Sequence, residues 1–201
     1  MEFSAEAKAS ILVDALPYIQ KFYGKTIVIK YGGNAMINDD LKNKVMHDIV
    51  LMKYVGIRPI IVHGGGPDIT DFLQRIGKTS QFINGLRVTD KETIQIAEMV
   101  LVGKINSEIV SRLNGLSVRA VGLNGKDAKL IIAHKKLAAV HDDNGKIRKI
   151  DIGFVGEVEK INTDILNDLL DQNYVPVIAP IGVGIDGAGY NINADYVAAE
   201  V

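Results

Sequence analysis

The chain has 201 residues, 47% of them hydrophobic, enough for one sizeable domain with a full core. Its formal net charge of −1 argues against nucleic acid or an anionic membrane as the main partner, and the absence of cysteine excludes disulfides and thiolate metal sites. The four histidines show no ligand spacing, no apolar run approaches membrane-spanning length, and the N-terminus lacks a signal peptide's apolar core, so a soluble cytoplasmic protein with no metal site of its own is expected.

Taken in order, Ser4 can cap a helix over residues 5–23. Ile11, Leu12, Ala15, Leu16, Ile19 and Phe22 give it an apolar stripe. Pro17 removes a hydrogen bond within it and predicts a kink, and Gly24 ends it. The stripe reads either as core or as an arm that meets another subunit. Thr26–Lys30 reads as a strand that runs into Tyr31-Gly32-Gly33-Asn34. Asn38 or Asp39 opens a helix with Leu41, Val45, Ile49, Met52 and Val55 inward, closed by Gly56. Ile60-Ile61-Val62 is a buried strand, followed by Gly64, Gly65 and Gly66. Pro67 suits the first helical position. Ile69, Phe72, Leu73 and Ile76 then recur at helical spacing, and Gly77 is a stop. Two successive strand–glycine–helix units imply a parallel sheet with crossover helices.

Phe82–Thr89 reads as a short strand or hairpin around Asn84-Gly85, and Thr89 with Glu92 forms a capping box. The helical pattern continues to Leu113, with a break expected near Gly103 and a stop at Asn114-Gly115. Val118–Val121 is a further strand. Residues 129–160 look like an antiparallel hairpin turning at Asp143-Asn144-Gly145. Thr163 or Asp164 caps a helix carrying Ile165, Leu166, Leu169 and Leu170. Val175–Ala179 is a strand, residues 182–189 form a glycine-rich loop, and Asn191–Asp195 opens a last helix. That helix has about two turns before Val201 and no terminator. The sequence reads as cut there, and so short a helix depends on packing.

The chemistry gathers at the strand exits. A helix start attracts phosphate or carboxylate through its free N–H groups and partial positive charge, and glycines let an anion approach the backbone. The 64–66 loop fits neither a Walker A loop nor GxGxxG, and a plain tight turn would need only one glycine. Lys30 leaves the first strand directly before Gly32-Gly33. Parallel sheets bind ligands outside their strands' C-terminal ends, so Lys30 and the 64–66 loop should share one edge. A lysine beside two glycine turns is a minimal kit for phosphoryl transfer, which needs positioning and charge neutralisation. Arg87 is the best carboxylate clamp, against a surface salt bridge as the plain reading. Asn191, Asn193 and Asp195 offer ligand contacts or orientation of Lys30, although capping explains one of them. Lys126 and Asp127 read as a turn. His63 touches the glycine loop, where such a residue usually packs or bonds locally. Ser80, Ser107, Ser111 and Ser117 have no histidine nearby in sequence, so no nucleophile–base pair stands out. That suits an acceptor which is already a nucleophile, such as a carboxylate.

Lys30-Tyr-Gly-Gly-Asn34, His63-Gly-Gly-Gly-Pro67, Asn84-Gly-Leu-Arg-Val-Thr89 and Asn191-Ile-Asn-Ala-Asp195 resemble the acetylglutamate kinases of the amino acid kinase fold, over nearly the whole chain. The resemblance implies an α/β, three-layer αβα sandwich with a mainly parallel sheet, an N-terminal substrate half and a C-terminal nucleotide half. It implies ATP-dependent phosphorylation, with Mg2+, of the side-chain carboxylate of N-acetyl-L-glutamate in arginine biosynthesis. By motif, Lys30 stabilises the transferring phosphoryl group and Asp195 orients the catalytic lysines. Gly32 and Gly33 contact nucleotide phosphates, Gly65 and Gly66 bind the acceptor, Arg87 holds its α-carboxylate, and Asn191 also contacts it. Residues 1–24 resemble the arm of arginine-inhibited members, which implies a homo-oligomer, a dimer or a hexamer built through that helix, and arginine as a feedback inhibitor. Residues 25–190 correspond to the acceptor-binding half and 191–201 to the start of a nucleotide half. The family's second catalytic lysine lies beyond Asp195, so these 201 residues alone are expected to be inactive. The alternatives are another acceptor within the fold, or a substrate-binding half that does not turn over.

Overall fold

The computed structural model describes residues 3–36, 38–141 and 145–201. Helix α1 spans Ala5–Phe22 and is capped by Ser4, whose hydroxyl accepts from the Ala7 N–H. Pro17 lies inside it without breaking it. None of its residues is buried: Ile11, Leu12, Leu16 and Phe22 of the predicted stripe are exposed. The stripe therefore adds nothing to this chain's own core.

The centre is a four-stranded parallel sheet. Strand β1 (Thr26–Tyr31), α2 (Asp39–Tyr54), β2 (Arg58–His63) and α3 (Gly66–Arg75) form the two strand–glycine–helix units. With β5 (Ala120–Asn124) and β8 (Val175–Ala179) the strand order is β1-β2-β8-β5, all parallel. Successive side chains on a strand face opposite ways, and the sheet uses this directly. Ile29, Ile61 and Val177 join a core with α2, α3, α4 (Lys91–Glu98) and α5 (Ser107–Gly115). Val28, Ile60, Val62 and Ile178 join a second core with α6 (Asp164–Asp171) and α7 (Ala194–Glu200). Helices on both faces make the αβα sandwich, and strands buried on both faces explain the continuous apolar runs.

Between α3 and α4, β3 (Phe82–Ile83) and β4 (Leu86–Arg87) pair antiparallel. Asn84 and Gly85 make the turn with φ of 50° and 77°, the positive values a two-residue hairpin demands. Strands β6 (Ile131–His141) and β7 (Ile147–Ile161) are the expected antiparallel hairpin. Of its expected turn, Asp143 and Asn144 lie outside the described residues. With β9 (Ile181–Val183) and β10 (Gly189–Asn191) they close a small barrel.

Several local expectations are corrected. The cap of α4 is Asp90, which accepts from the Thr93 N–H at 2.8 Å. Thr89 is buried and donates to the Arg87 carbonyl instead, while Glu92 pairs with Lys78; a carboxylate one residue later outcompetes the hydroxyl for the free N–H groups. No break occurs at Gly103. Met99–Asn106 widens into a π-helical stretch that runs on into α5. The glycine-rich 182–189 segment is a hairpin, β9 pairing antiparallel with β10. Leu41, Phe72 and Ile76 are exposed, while Met46, outside the predicted pattern, is 1% exposed. Helix α7 is short but seated: Val197 is fully buried, and Asn193 caps it by accepting from the Asp195 N–H at 2.7 Å.

Candidate active site

The parallel strands all end on one edge, and the cavity there has a volume of about 630 Å³. Lys30, Gly32, Gly33, Gly65, Gly66, Arg87, Asn191 and Asp195 all line it. These residues are up to 165 positions apart, from Lys30 to Asp195, and only the sheet brings them together.

Lys30 sits one residue before the end of β1, with Tyr31 paired to His63 at the end of β2. Its Nζ lies 3.2 Å from Asp195 Oδ1. Asp195 stands in the first turn of α7, so that helix start, packed on the sheet through Val197, delivers a carboxylate to the lysine. Both side chains are partly exposed, so the pair adds little stability. The contact sets Asp195 beside an ammonium that lines the cavity.

The glycines serve different physical needs. Gly33 has φ +62° and opens a short 3-10 helix, Gly33–Met36, a conformation glycine takes without strain. A Cβ on Gly32 would lie 3.3 Å from Lys30 Nζ. A Cβ on Gly65 would lie 2.3 Å from Ile105 Cδ1 and 2.7 Å from Leu101 Cδ2, so the π-helical stretch presses directly on the loop. Gly66 has no neighbour within 4 Å of such a position, which leaves its backbone open to a ligand. Gly65 caps α3 and Pro67 follows in its first turn. The start of α3 therefore faces the cavity with free N–H groups and the positive end of a helix dipole.

Arg87 is 7% exposed, which removes the surface salt-bridge reading. Its Nη1 donates to Ser80 Oγ at 2.5 Å, and its Nη2 donates to the Gly66 carbonyl at 2.9 Å and to Thr70 Oγ1 at 2.8 Å. The guanidinium lies over the Phe82 ring at 4.7 Å. Burial lowers its pKa from the ordinary value, and among the described residues no carboxylate pairs with it. The other cavity cations differ: Lys42 and Arg112 both reach Glu108, at 3.1 and 3.0 Å. A desolvated, well-held guanidinium without an acid is a site for an external anion.

The hairpin that carries Arg87 is fixed in turn. Thr89 N–H donates to the Ile152 carbonyl at 2.9 Å, and Phe154 N–H donates to the Thr89 carbonyl at 2.6 Å. A Cβ on Gly153 would lie 2.1 Å from that carbonyl. Asn191, at the end of β10, lies between Val155 and Ile181, and its side-chain amide has no hydrogen-bond partner among the described residues. Lys126 and Asp127 remain structural: Asp127 accepts from the backbone and side chain of Asn124, and Lys126 pairs with Glu98.

Sequence reading missed Thr70, Ser80 and Phe82, which hold Arg87, and Asn106, which reaches the strand ends. Nothing local marks them, because their roles arise only when α3, the hairpin and the π-helical stretch converge. No cluster of three His, Asp or Glu side chains able to hold a metal occurs among the described residues, and no helix among them is long and apolar enough to cross a membrane.

The sequence matches the model of the amino acid kinase family over residues 25–201. It is 59% identical to the acetylglutamate kinase of Pelotomaculum thermopropionicum over 194 residues, 96% of this chain and 66% of that protein. It is 56% identical to the acetylglutamate kinase of Moorella thermoacetica over 201 residues, the whole of this chain and 68% of that one. The first relatives it matches are covered over 64% to 66% of their length, just under two thirds. Among solved structures, the N-acetylglutamate synthase of Neisseria gonorrhoeae, complexed with coenzyme A and N-acetyl-glutamate, superposes with a TM-score of 0.77 at 27% identity, over 95% of this chain and 42% of that one. With two glycine turns, a lysine–aspartate pair and a buried arginine on the same sheet edge, the chain belongs to the amino acid kinase family, and its sequence stands with the acetylglutamate kinases of that family.

Proposed function

We propose that the protein built on these residues phosphorylates the side-chain carboxylate of N-acetyl-L-glutamate with ATP, as a step of arginine biosynthesis. The observation that carries this is the cavity itself: a phosphate-ready edge at Lys30 and the glycines, and a second anion seat at Arg87 with no acid beside it among the described residues. A dicarboxylate fits both ends, its α-carboxylate at Arg87 and its side-chain carboxylate at the glycine loop, with Asn191 offering its amide to the body of the molecule.

In the reaction a carboxylate oxygen attacks the γ-phosphorus. One O–P bond forms, the bond from that phosphorus to the β–γ bridging oxygen breaks, and ADP leaves with the electron pair. The acceptor is already ionised, so no proton has to be removed, in keeping with a sequence in which no nucleophile–base pair stands out. Lys30 neutralises charge on the phosphoryl group in flight. Asp195 holds the ammonium in place. The Gly32 and Gly33 backbone serves the nucleotide phosphates, and Gly65 and Gly66 serve the acceptor carboxylate. Mg2+ would be carried mainly on phosphate oxygens, as that ion prefers, since the described residues offer no acidic cage for it.

Residues 25–190 then supply the acceptor half, and 191–201 bring Asn191 and Asp195 from the opening of the nucleotide half. The apolar, unburied face of α1 supports residues 1–24 as the arm of a homo-oligomer, and arginine is the expected feedback ligand. A cytoplasmic location fits this chemistry. The test is trapping of the acyl phosphate with hydroxylamine, using the full-length protein, ATP, Mg2+ and N-acetyl-L-glutamate, with carbamate and aspartate as competing acceptors. Hydroxamate from N-acetyl-L-glutamate alone is expected. Turnover only with another acceptor would overturn the assignment.

A further inference from the structure

His63 ends β2 and is completely buried beside the cavity, yet the chemistry above does not use it. We propose that His63 is a positioning residue which, anchored by Asn106, fixes the Gly64–Gly65 peptide so that the Gly65 N–H is presented to the acceptor carboxylate and to the phosphoryl oxygens that gather beside it as the new O–P bond forms. This rests on reading the cavity as a phosphoryl-transfer site.

The hydrogen-bond logic closes on one arrangement. Asn106 Nδ2 donates to the Val177 carbonyl at 2.8 Å and lies 3.1 Å from His63 Nε2. The amide has two hydrogens. One is committed to a carbonyl, which can only accept, so the other is directed to Nε2, which must accept it. The ring proton therefore sits on Nδ1, which lies 3.0 Å from the Gly64 carbonyl and donates to it. Turning the Asn106 amide over would set its oxygen against the Val177 carbonyl. Burial lowers the His63 pKa to about 4, against a smaller rise from its bond to Gly64, so the imidazole stays neutral and keeps this tautomer near neutral pH.

The consequence lies in the loop. A trans peptide projects its C=O and N–H to opposite sides. Drawing the Gly64 carbonyl in to the buried imidazole turns the Gly65 N–H away from it. That N–H has no acceptor among the described residues, whereas the Gly64 N–H is occupied by the Tyr31 carbonyl at 2.8 Å. The same π-helical stretch that supplies Asn106 supplies Leu101 and Ile105, which press on Gly65. Asn106 is itself seated over β5, where a Cβ on Gly122 would come within 1.9 Å of its Oδ1. Three parallel strands and one helix thus set the orientation of one peptide. π-helical turns are often found at functional sites.

Substitutions separate positioning from packing because Asn and Gln mimic different ring nitrogens. His63→Asn can place an N–H where Nδ1 was. His63→Gln fills the space better but reaches toward Asn106 instead. In the full-length protein, with ATP and N-acetyl-L-glutamate, His63→Gln is expected to lower kcat by about tenfold or more, the scale of losing an aligned donor, with KM for the acceptor changed less than about threefold. His63→Asn is expected to keep kcat within about threefold of wild type. The reverse order, or a ranking that follows melting temperature, overturns the proposal. A second measurement does not depend on the acceptor: titration with inorganic pyrophosphate, followed at the Gly65 amide in ¹H–¹⁵N spectra. The wild-type and His63→Asn amides are expected to shift on titration, and the His63→Gln amide is not. Equal responses in all three, or none in wild type, overturn the proposal even if hydroxamate forms normally. Absent hydroxamate with these pyrophosphate shifts intact overturns only the kinase reading. If His63→Gln does not fold, the wild-type imidazole ¹⁵N spectrum still decides: an Nε2–H tautomer refutes the arrangement.

Discussion

Replacing Arg87 with alanine tests the acceptor end of the site. The guanidinium is 7% exposed, has no acid among the described residues, and is held by Ser80, Thr70 and the Gly66 carbonyl. Its fork is therefore set before ligand arrives, and little side-chain entropy remains to be lost on binding. A charge-assisted bond to a carboxylate is worth roughly 1.5–3 kcal/mol, which converts at 1.36 kcal/mol per tenfold to a rise in the N-acetyl-L-glutamate KM of about 10- to 150-fold. The effect on kcat should be smaller if Arg87 holds the carboxylate that does not react. The glycine loop should survive the change, since Thr70 Oγ1 also donates to the Gly66 carbonyl, at 3.1 Å. Arg87→Met separates charge from packing: it keeps an apolar stem against Phe82 and should lose affinity to a similar degree while melting closer to wild type. The assay is initial rates over acceptor concentration by coupled ADP release, beside thermal melts with and without N-acetyl-L-glutamate. A KM within twofold of wild type in both variants would show that the carboxylate is held elsewhere.

Lys30→Met should cut kcat far more than it raises either KM if the ammonium meets charge that develops in the transition state; unchanged kcat in steady-state assays would remove Lys30 from the chemistry. Gly65→Ala forces a methyl to within 2.3 Å of Ile105 and should destabilise by about 1–3 kcal/mol through overpacking, measurable in urea melts as a lower midpoint. For pH dependence, the folded-state pKa of His63 is about 4 against an ordinary 6.5. The folded state thus binds this proton more weakly than the unfolded chain, so the contribution is complete above pH 6.5 and is lost as pH falls toward 4. Wild type should lose stability across that window, by up to about 3 kcal/mol, and His63→Asn should flatten it; Asp90, with its pKa lowered to about 2 by Lys78 and its cap bonds, acts only below the window. Deleting residues 1–23 should reduce the assembly size in analytical ultracentrifugation, and an identical sedimentation pattern would return α1 to a role within its own subunit.

The sequence alone determined the strand–glycine–helix rhythm and the parallel sheet it implies. These signals are local: apolar runs set the strands, and Asn38, Pro67, Gly56 and Gly77 mark helix ends through their own backbone preferences. Lys30 was legible because a strand exit beside glycines is a ligand position in any parallel sheet. What the sequence misplaced was decided by competition between neighbours. Thr89 looked like a cap until Asp90 took the N–H groups, and Gly103 looked like a break until the helix widened into a π-helical stretch instead. Only the tertiary structure buried Arg87 with no acid beside it among the described residues, brought Asp195 to 3.2 Å from Lys30, and set Asn106 between His63 and the Val177 carbonyl. These contacts join residues tens to more than a hundred positions apart, and no local preference encodes them. They exist because a sheet buried on both faces fixes where each strand ends, and the ends of the strands are where the site is.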